Sequence, residues 1–292
     1  MTYDLAYIKR RRSADFRHRA SEKRMAQVPF NRLLLTGAAG GLGRVLCGRL
    51  KPFASVLRVS DIAELGAAGA GEEVVQCDLA LRDPVHALLA GVDAVVHMGG
   101  ISTEQPYEQI LGPNIVGLAH LYESSRRHGV RRIVFASSNH TIGFHPRDLV
   151  IDANAPARPD SFYGVSKAFG EDLSRFYFDR HGIETVCMRI GSSFPEPWDR
   201  RSLVTWLSYD DLVELVRCSL FAPAVGHTIV YGVSDNRDKW WDNAAAAHLG
   251  YVPRDSSERF RAKVEASAVE PDPDGRAVRF QGGVYVEKGP FD

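Results

Sequence analysis

The sequence predicts an α/β fold, a doubly wound parallel sheet with helices on both faces and a small C-terminal substrate lobe. Two observations carry that prediction. Short apolar runs alternate with stretches of helical spacing from Phe30 to about residue 190, and strands covered on both faces read as unbroken apolar runs. A glycine cluster also follows directly on the first of these runs and opens the first helix. In sheets of this kind ligands bind beyond the carboxyl ends of the strands, so the site is sought there.

Arg32–Thr36 is the first buried strand, and residues 42–51 are the first helix. Ser55–Ser60 and Glu73–Cys77 read as strands two and three, with a short helix over Pro84–Ala90. Asp93–His97 is the fourth strand. Tyr107–His128 has helical spacing, with Ile110, Leu111, Ile115, Leu118, Leu121 and Tyr122 on one side. Arg132–Ala136 is the fifth strand, residues 163–181 a long helix and Thr185–Arg189 the sixth strand. After about residue 190 the rhythm becomes irregular, punctuated by prolines, Trp206, Trp240 and Trp241. The expectation is one Rossmann-type domain over residues 29–292, with 190–292 forming most of the substrate-side lobe. Ala277–Val286 has an apolar, glycine-containing strand pattern. Left bare it would be an exposed edge, so it is expected to pack on another subunit or back over the core.

Composition narrows the function. Of 292 residues, 45% are hydrophobic and 25% charged, an ordinary globular balance. Thirty-six basic residues offset thirty-six acidic ones, which argues against a nucleic-acid binder held by phosphate contacts. No run approaches the length of a membrane span. Cys47, Cys77, Cys187 and Cys218 are scattered without a CxxC pair. That favours a reduced, cytoplasmic setting over a disulfide framework, and no metal site is expected. Residues 1–28 are rich in charge and lack the apolar core of a signal peptide, so they read as a disordered basic extension. Met25 is a candidate start, which would make residues 1–24 an upstream extension.

The glycine loop has the spacing GxxGxxG. Gly37 permits the tight turn, Gly40 lets backbone approach a pyrophosphate, and Gly43 lets helix and strand pack closely. Gly41 and Leu42 complete the turn, and the helix N-terminus offers free N–H groups and a positive dipole end to phosphates. Asp61 stands 18 residues beyond Gly43. A carboxylate there accepts hydrogen bonds from both adenosine ribose hydroxyls and repels a 2′-phosphate, favouring NAD over NADP. Arg58 is not placed to reach a 2′-phosphate. Asp78 and Leu79 end the third strand and belong to the expected adenine side. His97 reads as a packed strand-end residue, and Asn114 as a structural side chain bonding to neighbouring backbone.

Tyr163 and Lys167 lie four apart, on one face of a helix. A free phenol is a poor base at neutral pH, but a nearby ammonium, together with the positive nicotinamide, would stabilise the phenolate and lower its pKa. The same lysine can bond the nicotinamide ribose, and Ser138 at the end of strand five can bond the reacting oxygen.

Together TGxxGxxG, the aspartate after strand two, the serine after strand five and YxxxK resemble the extended short-chain dehydrogenase/reductase superfamily. Longer strings are more specific. HMGGIS, YEQIL, IVFASSNHTIG, ARPDSFYGVSK, MRIGSSFPEP, WWDN and VRFQGG resemble the uronate dehydrogenase family, whose members use NAD to oxidise galacturonate and glucuronate at C1. The likeness spans essentially residues 30–292. It implies Tyr163 as general base, an aldaro-lactone product and a carboxylate clamp at Arg201, with Arg200 as the neighbouring alternative. It further implies sugar contacts at Ser102, Ser138, Asn139, His140 and Ser192, and a cofactor contact at Ser193. His140, so close to Ser138, would make a neutral hydrogen bond to a sugar hydroxyl rather than shuttle protons. Trp198–Arg201 departs from the family pattern, and the loop Phe144–Ile151 is expected to tune preference between uronic acids. A homo-oligomer is expected, with no nucleic-acid or membrane partner. The alternative is a nucleotide-sugar epimerase or dehydratase of the same superfamily. Against it, only about 100 residues follow Arg189 to hold a nucleotide diphosphate. A non-catalytic NAD-sensing protein would not need Ser138, Tyr163 and Lys167 together.

Overall fold

A computed structural model describes residues 29–267, 272 and 274–289. The basic extension predicted over residues 1–28 lies outside the described residues. Seven parallel strands form one sheet in the order β3-β2-β1-β4-β5-β6-β7. They are β1 Phe30–Thr36, β2 Ala54–Asp61, β3 Glu72–Gln76, β4 Ala94–His97, β5 Arg132–Ser138, β6 Glu184–Ile190 and β7 His227–Gly232. The order reverses between β1 and β4, and the site opens at that switch point.

Alternation along β1 sends Leu33 and Leu35 to one face and Leu34 to the other. On the first face these residues pack with α1 (Gly41–Arg49) and with Leu212, Leu215, Val216 and Leu220 of a helix over Tyr209–Phe221. On the second they pack with α2 (Arg82–Leu88) and with Leu118, Leu121 and Tyr122. Burial of these side chains on both faces explains the unbroken apolar strand pattern.

Three expectations are revised. The continuous helix predicted over Tyr107–His128 is instead α3 (Tyr107–Ile110), a π-helical stretch over Leu111–Val116 and α4 (Gly117–His128). Pro113 lacks an N–H and cannot extend the α-helical ladder through this point. The widened turn sets Asn114 so that its amide bonds the N–H and C=O of Ile101 (2.7 and 3.0 Å) and the Ser166 hydroxyl (2.9 Å). Beyond residue 190 the chain does not simply leave the sheet, because β7 pairs with β6 as its seventh strand. Ala277–Val286, read as a strand, forms a helical turn over Arg276–Arg279 and a 3₁₀ turn over Gly283–Glu287. It folds back over its own chain: Arg147 donates to the carbonyls of Phe280 (3.1 Å) and Ala277 (2.8 Å).

Candidate active site

A single cavity of about 820 Å³ lies across the carboxyl ends of the strands. One half is built on glycine. β1 turns at Gly37 with φ at +73°, and a Cβ there would lie 2.5 Å from the Gly99 nitrogen beyond β4. A Cβ on Gly43 would collide with the Gly37 carbonyl. No side chain caps α1, so its first N–H groups, from Gly41, Leu42 and Gly43 in the cavity wall, face that space with the positive end of the helix. Asp61 ends β2 on the same wall. Its carboxylate accepts from the N–H groups of Ala39 and Ala63, each at 3.0 Å, which ties the glycine loop to β2. Asp78 accepts from Ala80 N–H at 2.9 Å beside Leu79, and both residues line the cavity. Arg58 is turned away, bonded to Glu73 and to the carbonyls of Leu88 and Ala90. Ser60 and Ser193 present buried hydroxyls with no hydrogen-bond partner among the described residues, and both line the cavity. Backbone donors, a ribose-type acceptor and orphaned hydroxyls together fit a dinucleotide.

The centre of the cavity is set by β5 and by α5 (Phe162–His181). Ser161 caps α5 by accepting from Gly164 N–H at 3.0 Å. Buried Glu104 takes the N–H groups of Phe162 (2.9 Å) and Tyr163 (2.7 Å). Tyr163 and Lys167 share one face, with the Lys167 ammonium 5.7 Å from the Tyr163 ring centre and 5.2 Å from that of Phe135. Burial pushes the Tyr163 phenol up to about 12, offset in part by a hydrogen bond with Ser138. Burial also brings Lys167 down to about 8. The lowering expected from the ammonium and the positive nicotinamide together belongs to the cofactor-bound site; in the protein alone, desolvation of the phenolate raises the value. His97 is packed as expected, with Nδ1 2.7 Å from the Thr36 hydroxyl. Burial, reinforced by the Lys167 charge, lowers it to about 3.

The other half gathers Ser102, Asn139, His140, Ser192, Arg201 and Tyr285 in its wall. With its amide oriented to satisfy both ends, Asn139 donates to Ile190 O at 3.0 Å and accepts from Arg201 Nη2 at 2.6 Å. Arg201 Nε donates to Gln281 O at 2.8 Å. Arg201 lines the cavity and Arg200 does not. Ser192 shares a 2.8 Å hydrogen bond with Thr205.

Sequence reasoning missed six contributors. Tyr285 and Gln281 lay in a segment read as a strand. Glu104 carries no motif, and Asp160 stands within the string ARPDSFYGVSK but has no role in that reading, although an acidic residue ahead of a helix is a capping signal. Phe194 and Trp198, ring centroids 4.3 Å apart, also line the cavity.

The sequence model of the NAD dependent epimerase/dehydratase family matches residues 33–226. A uronate dehydrogenase of Pseudomonas putida is 63% identical over 92% of this chain and 100% of its own. One from Agrobacterium fabrum is 52% identical over 90% of this chain and 99% of its own. The crystal structure of a uronate dehydrogenase variant from Agrobacterium tumefaciens, complexed with NAD, superposes with a TM-score of 0.88 at 52% identity, covering 90% of this chain and 99% of that one. On this fold, cavity and kinship, the chain belongs to the uronate dehydrogenase family, NAD-dependent oxidoreductases of the extended short-chain dehydrogenase/reductase superfamily.

Proposed function

We propose that this enzyme oxidises galacturonate and glucuronate at C1 and releases the aldaro-lactone, which opens in water. The observation that carries the reading is one continuous cavity with a glycine-built cradle at one end and the Arg201 guanidinium at the other. Ser138, Tyr163 and Lys167 line it as well. Bound along Gly37, Gly40, Gly41, Leu42, Gly43, Asp61, Asp78, Leu79, Lys167 and Ser193, NAD supplies the hydride acceptor. Tyr163 takes the proton of the anomeric hydroxyl as the C1–H bond breaks, and C1 becomes the lactone carbonyl. Ser138 bonds the reacting oxygen and holds the phenol against it. Lys167 keeps positive charge beside the phenolate. Arg201 has two donors already fixed, by Gln281 and Asn139, and turns its remaining N–H groups to the substrate carboxylate. Ser102, Asn139, His140 and Ser192 take up the sugar hydroxyls.

The reading also holds that the enzyme works in the cytoplasm, as an assembly of several copies. None of the four cysteines forms a disulfide, and no helix among the described residues is long and apolar enough to cross a membrane.

Mixing the protein with NAD and either acid should raise NADH absorbance. Tyr163→Phe should cut that rate by roughly 10²–10⁴-fold, the usual worth of a positioned base, while NAD affinity stays near wild type. Folded protein that binds NAD yet turns over neither acid would remove the proposal.

A further inference from the structure

Behind the cavity wall, against His140, lies a carboxylate that none of these steps uses. The Asp160 side chain is fully buried. One of its oxygens is 2.8 Å from Nδ1 of His140, and the other accepts from the Ser161 hydroxyl at 2.8 Å. Ser161 is the residue that caps α5, the helix carrying Tyr163 and Lys167. Gly143 and Gly282, from separate segments, close over the same carboxylate, and a Cβ on either would collide with it. His140 is stacked on Tyr285 with centroids 3.8 Å apart and lies edge-on to Tyr163 at 5.8 Å. Among the described residues His140 Nδ1 has a partner and Nε2 has none.

An ionised carboxylate only accepts hydrogen bonds, and a neutral imidazole has one N–H. The groups facing His140 are Asp160, Tyr163, Tyr285, Arg201 and Lys288. Burial and the two cations disfavour the imidazolium, Asp160 favours it, and the net shift is downward. The ring is thus neutral at neutral pH, with its single proton drawn to Nδ1.

We propose that Asp160 is a positioning residue that fixes His140 as the Nδ1–H tautomer, so that Nε2 meets the sugar as an acceptor. The inference rests on the uronate reading of this cavity. It makes the hydroxyl opposite His140 an obligatory donor. A buried carboxylate behind the ring also stops the imidazole from turning over and presenting an N–H instead.

Nitrogen-15 NMR of the ring nitrogens tests this on the whole enzyme without substrate, with the His140 signals assigned by their loss in His140→Gln. The expected spectrum has a protonated Nδ1 and a bare Nε2 throughout the neutral range. Asp160→Ala should release the ring toward the Nε2–H tautomer and raise KM for uronate about tenfold, the effect of one lost hydrogen bond, with NAD affinity unchanged. An Nε2–H spectrum in the wild type overturns the inference, as does an Asp160→Ala enzyme that keeps both tautomer and KM. If that variant does not fold, the wild-type spectrum decides alone. Wild-type enzyme without uronate turnover overturns the substrate reading instead, and the tautomer spectrum still decides the role of Asp160.

Discussion

At residue scale, burial sets the protonation of the site more than pairing does. His97 illustrates the cost. Its folded value of about 3 lies below the ordinary value of 6.5. As pH falls through 6.5 the unfolded chain takes up a proton that the folded chain refuses, so stability drops steadily until about pH 3. By pH 5 the loss is about 2 kcal/mol. Replacing His97 with Asn, which can still bond Thr36, should flatten this acid limb in urea melts run from pH 7 to pH 5. Arg201 shows the other side of burial. Its guanidinium is partly desolvated and its ionisation lowered by burial, so a bound carboxylate replaces hydration already lost. Arg201→Ala should raise KM for uronate by roughly 10- to 100-fold, the worth of a charged hydrogen bond, with a smaller change in kcat. An unchanged KM would mean that the carboxylate is held elsewhere.

At element scale, the chemistry depends on how helices begin. The glycine loop leaves the N-terminus of α1 bare, so its donors stay available to phosphate. Gly43→Ala should weaken NAD binding by at least tenfold, because its Cβ meets the Gly37 carbonyl and the helix must shift. The start of α5 is treated in the opposite way. Glu104 from a distant loop and Ser161 from the preceding residue satisfy its first N–H groups, fixing Tyr163 at the head of the helix. Glu104→Ala should cost about 1–2 kcal/mol in a denaturant melt, as lost caps do, and should lower kcat with it. Glycine spacing made the first helix start legible in the sequence. The second was not, because Glu104 lies 59 residues from Tyr163 and no local pattern joins them.

At the scale of the whole molecule, the last described segment completes the site. Gln281 is fully buried. Its side chain bonds Trp241 (2.9 Å) and the carbonyls of Pro146 and Leu149 (3.0 Å each), while its own carbonyl holds Arg201. Tyr285 covers His140. Truncation at Pro273 should therefore leave the sheet and NAD binding intact but abolish uronate turnover, readable by circular dichroism, NAD titration and NADH formation on one preparation. Charge works at this scale too. Residues 1–24 carry eight basic and three acidic side chains, 8 − 3 = +5, so the neutral total leaves 28 − 33 = −5 for the rest. An acidic body repels an anionic sugar at long range, which makes a local arginine more necessary. Phe162, Val165 and Phe176 leave α5 with exposed apolar side chains, the kind of patch that the proposed assembly of copies would bury. Light scattering should give a mass well above the single-chain 32.3 kDa.

Residue order along the chain was enough to place the first six strands, the glycine turn and the Tyr163–Lys167 spacing. Each follows from neighbours within a few residues: apolar runs bury both faces of a strand, small residues permit a turn, and a four-residue interval returns to one helix face. The folded arrangement was needed to show which arginine of the pair enters the cavity, that Asp160 stands behind His140, and that the C-terminal segment forms turns rather than a strand. The burial that pushes the Tyr163 phenol up is a property of the packing as well. Those properties arise from groups brought together across long stretches of chain and from the water their packing excludes, and local residue spacing encodes neither.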